Sequence, residues 1–265
     1  MSMGDEKAFE RLLHEAENHP FAGWDFSFVS GRIQEQQPDW NYRAEVKHRI
    51  REASSLLDMG TGGGEFLSSL APLPPGTCAT EAYAPNVPVA RGRLQPLGVD
   101  VYPIDSDDEL PFMDGQFNLV INRHEAYSPK ELQRILQPGG TFITQQVGGR
   151  NNVEINHRLG TPVSEDLTEW NLTNALADLK RHGFTIIRQQ EALLPTTFRD
   201  VGALVYYLRA IPWQVPDFSV WKYRDRLYKI HQEIQETGTF ESHVHRFYIE
   251  ARRSFEGVTT GENHR

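Results

Sequence analysis

The stretch Ser55-Leu56-Leu57-Asp58-Met59-Gly60-Thr61-Gly62-Gly63-Gly64-Glu65-Phe66-Leu67 constrains the fold of this chain more than any other. An apolar run ends in an acid, a glycine-dense turn follows, and then comes a pattern able to start a helix. Glycine allows the positive φ of a tight turn and lets another molecule approach the backbone without meeting a Cβ. The helix that follows offers free N–H groups at its start. Strand, glycine turn and helix in this order are how an α/β protein holds a nucleotide-like ligand at the carboxyl edge of its sheet. A glycine-rich turn with no ligand fits the same residues.

The details narrow the ligand. A dinucleotide fingerprint needs Gly-x-Gly-x-x-Gly; Gly60 and Gly62 fit it, but Glu65 stands at the third position. The Lys-Ser/Thr ending of a phosphate-cradling loop is missing too. Asp58 before the turn and Glu65 after it would repel a pyrophosphate and suit a ligand with a cationic end, as S-adenosylmethionine has. Thr77-Cys78-Ala79-Thr80-Glu81 reads as a second strand ending in an acid. Glu81 falls about 20 residues past the turn, the spacing at which an acid meets a ribose diol in such folds.

Around these motifs strands and helices alternate. The pattern predicts strands at 54–58, 77–81, 99–103, 117–122 and 140–147, with helices at 63–70, 86–95 and 129–136. Such alternation implies a parallel sheet with right-handed crossovers. Helices are also expected over Lys7–Asn18, Asn41–Glu52, Ser164–His182 with Ser164 as N-cap and Gly183 as stop, and Val220–Glu236. Phe184–Glu191 reads as a sixth strand, Gly148–Asn152 as a polar loop, and Gly257–Arg265 as a frayed end.

The ordered set resembles the class I S-adenosylmethionine-dependent methyltransferases. Leu57 to Glu65 matches the first motif and Glu81 the second; Ile104-Asp105-Ser106 and Leu110-Pro111-Phe112 resemble the end of strand three and the loop before strand four. Asp114 to Val120 looks like strand four, and Leu136-Gln137-Pro138-Gly139-Gly140-Thr141-Phe142 like the turn into strand five. Asn118 departs from the pattern, the family often having Asp there. The resemblance covers roughly residues 40 to 190. It implies a Rossmann-like, seven-stranded, mostly parallel α/β sheet with an antiparallel last strand, for which His245–Ala251 is the candidate. Four parts are expected: an N-terminal helical lid (1–53), a cofactor-binding core (54–192), a cap inserted between strands six and seven (193–240), and the last strand with its tail (241–265).

The implied cofactor is S-adenosyl-L-methionine, leaving as S-adenosyl-L-homocysteine. Its expected contacts are Asp58, Gly60, Thr61, Gly62, Gly64 and Glu81, with Asp105 and Ser106 at the adenine and Asn122 and Arg123 at the end of strand four. That strand end lies nearest the transferred methyl in this fold, which makes His124 and Glu125 the candidate catalytic pair: His124 as a base near neutral pH, Glu125 as its orienting partner or a substrate acceptor. Each has a purely structural alternative, a backbone-bonded histidine and a helix-start carboxylate. Trp24, Phe28, Arg32, Tyr127 and Trp213 are candidate substrate contacts, aromatic walls suiting a flat or cationic acceptor and arginine an anionic one. Core packing and surface charge are the competing readings.

Composition limits the rest. The 265 residues carry 36 acidic and 27 basic side chains, a formal net charge of −9. That disfavours a broad nucleic-acid surface, which needs basic patches. One cysteine, Cys78, excludes an intrachain disulfide framework and a cysteine-rich zinc site. His231, His243 and His245 have no cysteine partner, and no metal is expected. No stretch is apolar over a bilayer-spanning length and no leader is evident, so a cytoplasmic protein is expected. The leading expectation is a methyltransferase for a small-molecule acceptor. An RNA nucleobase methyltransferase, a noncatalytic S-adenosylmethionine-binding module and a nicotinamide dehydrogenase are the alternatives, and the oligomeric state stays open.

Overall fold

The computed structural model describes residues 3–20, 26–163 and 168–255. Trp24, the Ser164 helix start and the 257–265 tail lie outside them. In chain order the elements are α1 (Met3–Asn18), β1 (Ile33–Glu35), α2 (Tyr42–Ile50), β2 (Leu56–Met59), α3 (Glu65–Ser68), β3 (Cys78–Glu81), α4 (Asn86–Leu94), β4 (Asp100–Pro103), β5 (Phe117–Arg123), α5 (Pro129–Ile135), β6 (Leu136–Val147), α6 (Val153–Leu159), α7 (Leu172–Arg181), β7 (Phe184–Phe198), α8 (Val201–Ala210), α9 (Val220–Thr237) and β8 (Phe240–Arg253). Two compact units share them: Met1–Pro38, Gly149–Glu169 and Ala192–His245 form one, and Asp39–Gly148, Trp170–Glu191 and Arg246–Arg265 the other. These bounds differ from the expected lid, core, cap and tail.

The second unit carries the sheet, in the order β7-β8-β6-β5-β2-β3-β4. Strand β2 is buried along its whole length and pairs in parallel with β3 (Leu57↔Cys78) and β5 (Leu57↔Val120). Strands β3–β4 and β5–β6 are parallel too, while β8 runs antiparallel to β6 from Thr141↔Arg252 to Val147↔Arg246. The expected antiparallel return between strands five and six is therefore present, and longer than the 245–251 read from sequence. Strands covered on both faces read as near-continuous apolar runs. Leu57, Met59, Phe117, Val120, Phe142, Phe247 and Ile249 are such residues, packed with Leu132 of α5 and Leu179 of α7. Each fully buried side chain of this kind contributes about 1.5–3 kcal/mol. The strand order reverses between β2 and β5, the place at which open α/β sheets bind ligands outside the carboxyl ends of their strands.

Helix α2 belongs to this unit. Asn41 caps it by accepting from Ala44 N at 3.0 Å, and Tyr42 Oη donates to the Asn122 carbonyl at 2.8 Å. Helix α7 starts at Leu172 because Asn171 is extended and caps it, accepting from Asn174 N at 3.0 Å. It stops before Gly183, whose φ is +80°.

The first unit has its own core, with Phe9, Leu13, Leu204, Tyr206, Leu227 and Ile230 from α1, α8 and α9. Three of its elements, β1, α6 and α8, were absent from the sequence reading. Strand β1, an eighth strand, has three residues and pairs antiparallel with the end of β7 (Ile33↔Phe198 to Glu35↔Thr196). Helix α6 follows Asn152, whose φ of +54° turns the chain where only a polar loop was expected. Strand β7 runs on to Phe198, past the expected end at 191, before α8 begins at the Asp200 cap. No helix among the described residues is long and apolar enough to cross a membrane.

Candidate active site

At the carboxyl end of β2 the chain turns through Gly60, Gly62 and Gly64, with φ of +65°, +62° and +80°. The turn is fastened to the neighbouring strand: Thr61 N donates to the Thr80 carbonyl at 2.9 Å and Gly60 N to Thr80 Oγ1 at 3.3 Å. Inside it, Thr61 Oγ1 donates to Asp58 Oδ2 at 2.7 Å. A side chain at Gly60 would collide with its surroundings, since a Cβ there would lie 2.3 Å from Glu125 Cγ. Glu125 therefore rests directly on the glycine turn. At the end of β3, Glu81 is buried and accepts from Tyr83 N at 2.7 Å.

The end of β5 is held from both faces of β6. On one face, Thr144 Oγ1 and Gln146 Nε2 donate to Asn122 Oδ1 at 2.9 and 2.6 Å, and Gln146 Nε2 also donates to the Glu125 carbonyl at 2.9 Å. Asn122 Nδ2 donates to the Ala126 carbonyl at 3.1 Å. On the other face, Trp40 Nε1 donates to Gln145 Oε1 at 2.8 Å, and Gln145 Nε2 lies 3.1 Å from His124 Nε2. His124 N donates to the Gln145 carbonyl at 2.8 Å. These bonds hold His124 at φ +61°, a left-handed conformation that costs a side-chain-bearing residue about 1–2 kcal/mol. Strain of this kind persists only where the surroundings over-determine it.

Electrostatically the site is acidic. Burial pushes the Asp58 carboxyl up to about 7; the Thr61 hydroxyl and the Arg123 charge pull against that, and Glu81 adds to it. Burial, then the nearby Glu125 and Asp108, push Asp107 up to about 6. Glu125 is raised as well, by burial first and by Glu81, with the Ala126 N–H opposing. The His124 imidazole is pushed the other way, below its ordinary value. The surrounding protein contributes most, then the Arg246 and Arg123 charges, although part of the ring meets solvent.

Several expected site residues have other partners. Asn122 is fully buried, and its amide is spent on the turn. Arg123 is exposed and stacks over Phe66, 5.2 Å from the ring centroid. Asp105 and Ser106 are exposed, Ser106 Oγ accepting from Asp108 N. It is Asp107 whose carboxyl feels the Glu125 charge, with its Oδ1 buried and without a hydrogen bond among the described residues. Glu65 pairs with Arg93 and so does not add its charge to the turn unopposed. Tyr127 packs edge-on against Phe142 and Trp170, with Asp178 of α7 near its hydroxyl, away from the glycine turn's contacts. Asn118 accepts from Ser54 N and Ser55 N, at the opposite end of the strand.

In the first unit, Arg32 is committed to Asp200 through Nε at 2.8 Å and Nη2 at 2.6 Å, and Phe28 stacks on His19 at 3.9 Å. Trp213 is 54 % exposed. His231 pairs with Asp5, His243 with Glu154, and His245 Nδ1 accepts from Arg150 N. Trp40, Tyr42, Asp107, Gln145 and Gln146 are the site residues that sequence reasoning missed. The run Thr144-Gln145-Gln146 at the end of an apolar strand was the available signal. Clefts of about 280 Å³, lined by Arg49, Gln137 and Arg252, and about 860 Å³, lined by Tyr102, Phe112 and Arg134, lie elsewhere on this unit; over Gly60 the space is taken by Glu125.

Residues 57–144 match the family model described as a methyltransferase domain. Solved structures share the fold. A presumed methyltransferase from Bacillus halodurans C-125 is 17 % identical, with 80 % of this chain and 98 % of that one covered, at a TM-score of 0.58. YcgJ from Bacillus subtilis is 17 % identical over 82 % and 99 %, at 0.56. The [4+2]-cyclase SpnF is 16 % identical over 93 % of each chain, at 0.51. No curated protein sequence matches. Residues 57–144 thus resemble a methyltransferase domain, and the solved structures share its fold. At such low identities the structural likeness speaks for the fold alone, and the site must speak for the chemistry.

Proposed function

We propose that the protein is an S-adenosylmethionine-dependent methyltransferase acting on a small-molecule acceptor. One observation carries the proposal: at the ends of adjacent parallel strands, buried Asp58 and buried Glu81 flank a glycine turn with three positive φ angles. The residues fit the ligand. Glu81 can accept from both ribose hydroxyls. The orphaned Oδ1 of Asp107 is an acceptor for the adenine amino group, better placed for it than exposed Asp105. Asp58 and Glu125 present negative charge to a cationic end.

When bound, S-adenosylmethionine supplies a methyl group on a sulfonium, with a neutral thioether as leaving group. The chain then has to bind, align and exclude water, and alignment alone supplies on the order of 7–11 kcal/mol. Glu125 gives up its place over Gly60 as the ligand enters. The braced 122–126 turn sets the position of His124 and Glu125 against the acceptor. The net charge of −9 supports a small acceptor over RNA.

The test is titration calorimetry with S-adenosylmethionine and S-adenosylhomocysteine on wild type and Glu81→Gln. Loss of charge-assisted hydrogen bonds worth about 1.5–3 kcal/mol weakens binding about 10- to 150-fold in the variant. No binding to wild type, or equal binding to both proteins, overturns the assignment. RNA that co-purifies and is lost on raising salt would move the acceptor from a small molecule to a nucleobase.

A further inference from the structure

The two hydrogen bonds of the Gln145 amide determine which nitrogen of His124 carries the proton. An indole N–H can only donate. The amide atom 2.8 Å from Trp40 Nε1 is therefore the oxygen, and the atom facing His124 is the NH₂ group, a donor. At 3.1 Å from that donor, His124 Nε2 must accept, so it bears no hydrogen. A neutral imidazole with a bare Nε2 carries its proton on Nδ1. Nδ1 makes no hydrogen bond among the described residues, which leaves its N–H free to donate. Trp40 and Gln145 are both buried, 5 % and 8 % exposed, so water does not easily replace the link between them, which fixes the orientation of the amide. Arg246 of β8 and Arg123 of β5 are the charged groups whose fields reach the ring, and both oppose a second proton.

We infer that Trp40 and Gln145 are positioning residues that hold His124 as the neutral Nδ1–H imidazole, making it a hydrogen-bond donor to the methyl acceptor and not the base that removes its proton. The donor role rests on the methyl-transfer reading, whereas the tautomer does not. A donor at this point suits an acceptor that presents a lone pair or an anionic oxygen beside the atom to be methylated. It does not suit one whose proton has to be taken by the histidine.

The experiment is a long-range ¹H–¹⁵N correlation spectrum of the full-length protein, recorded across about pH 5 to 8, the window in which an ordinary histidine titrates. The His124 signal, assigned through a His124→Gln variant, is expected to show Nδ1 protonated and Nε2 bare, with no titration across the window. A protonated Nε2, or an imidazolium appearing within the window, overturns the inference. Gln145→Glu replaces the donor by an acceptor and moves the proton to Nε2 or adds a second one. Trp40→Phe frees the amide to rotate and gives a mixture of tautomers. If either folded variant keeps the wild-type pattern, the relay is not what sets the proton, and the inference fails. Should the tautomer be found as described while S-adenosylmethionine does not bind, the methyl-transfer reading falls and the relay stands. The reverse result removes the relay and leaves the enzyme assignment intact.

Discussion

Asp58 offers a test in which stability and binding respond to pH in opposite ways. Its carboxyl titrates near about 7 in the folded protein, where it is 4 % exposed, against about 3.9 in an unfolded chain. A raised carboxyl favours the folded state while it is neutral. That contribution is complete below about pH 3.9, falls as pH rises and is gone above about pH 7. A shift of about 3 units at 1.36 kcal/mol each puts the cost of the buried charge at about 4 kcal/mol. Asp58→Asn keeps the shape, lets its amide oxygen accept from Thr61 Oγ1 and cannot ionise. The ligand-free variant and wild type are therefore expected to melt together near pH 4 and to separate as pH rises. At pH 8 the variant should be the more stable by up to about 4 kcal/mol, which at about 2–4 °C per kcal/mol for a chain this large is roughly 10 °C. Thermal melts at half-unit steps measure the difference, from which the other titrating groups cancel. Binding of S-adenosylmethionine should run the other way. Because the cation prefers the ionised form, affinity climbs with pH up to about 7 and levels off in wild type, and is low and flat in Asp58→Asn. A melting difference independent of pH, or a wild type more stable at pH 8, refutes the reasoning.

Two further substitutions separate the site from its frame. Gly60→Ala places a Cβ 2.3 Å from Glu125 Cγ and 2.7 Å from its Cβ and adds about 1–2 kcal/mol of left-handed strain; calorimetry should show ligand binding lost, and Glu125→Gly in the same chain should relieve the collision but not the strain. Arg32→Ala breaks the half-buried pair with Asp200 and should lower stability by about 1.5–3 kcal/mol in melts while leaving S-adenosylmethionine affinity unchanged; a loss of affinity instead would return Arg32 to the binding site.

The parts of the fold legible in the sequence are those with a local signal. Strand β2 and its glycine turn, Glu81 at the end of β3 and the capped helix α2 depend on neighbours a few residues away, and their positions follow from the pattern within a residue or two. What failed depends on distant partners. Arg32 reads as a free cation until Asp200 is beside it, 168 positions along. Glu65 reads as half of an acidic clamp until Arg93 pairs with it. Among Asp105, Asp107 and Asp108, only the path of the backbone after β4 decides which carboxylate turns inward. Strand β1 has three residues and no alternation to detect, since its pairing with β7 is what makes it a strand.

The same reasoning explains which part of the site is fixed and which can move. Thr144 and Gln146 point to one face of β6 and grip Asn122 and the Glu125 carbonyl; Gln145 points to the other and grips His124. Tyr42 adds a fifth bond from α2. At about 0.5–1.5 kcal/mol net for each bond, the set outweighs the about 1–2 kcal/mol of strain at His124. The backbone from 122 to 126 is therefore held in place before any ligand arrives. The Glu125 side chain is different, because among the described residues its carboxylate accepts from Ala126 N within its own turn, at 3.1 Å. A rotamer change of this one side chain thus takes its carboxylate and Cγ away from Gly60, while its Cβ, 2.7 Å from the Cβ position of Gly60, stays with the braced backbone. Because Glu125 lies near Asp107 and Glu81, a cation that draws it aside also relieves the repulsion among these acids. A ligand of net negative charge gains nothing from the same step.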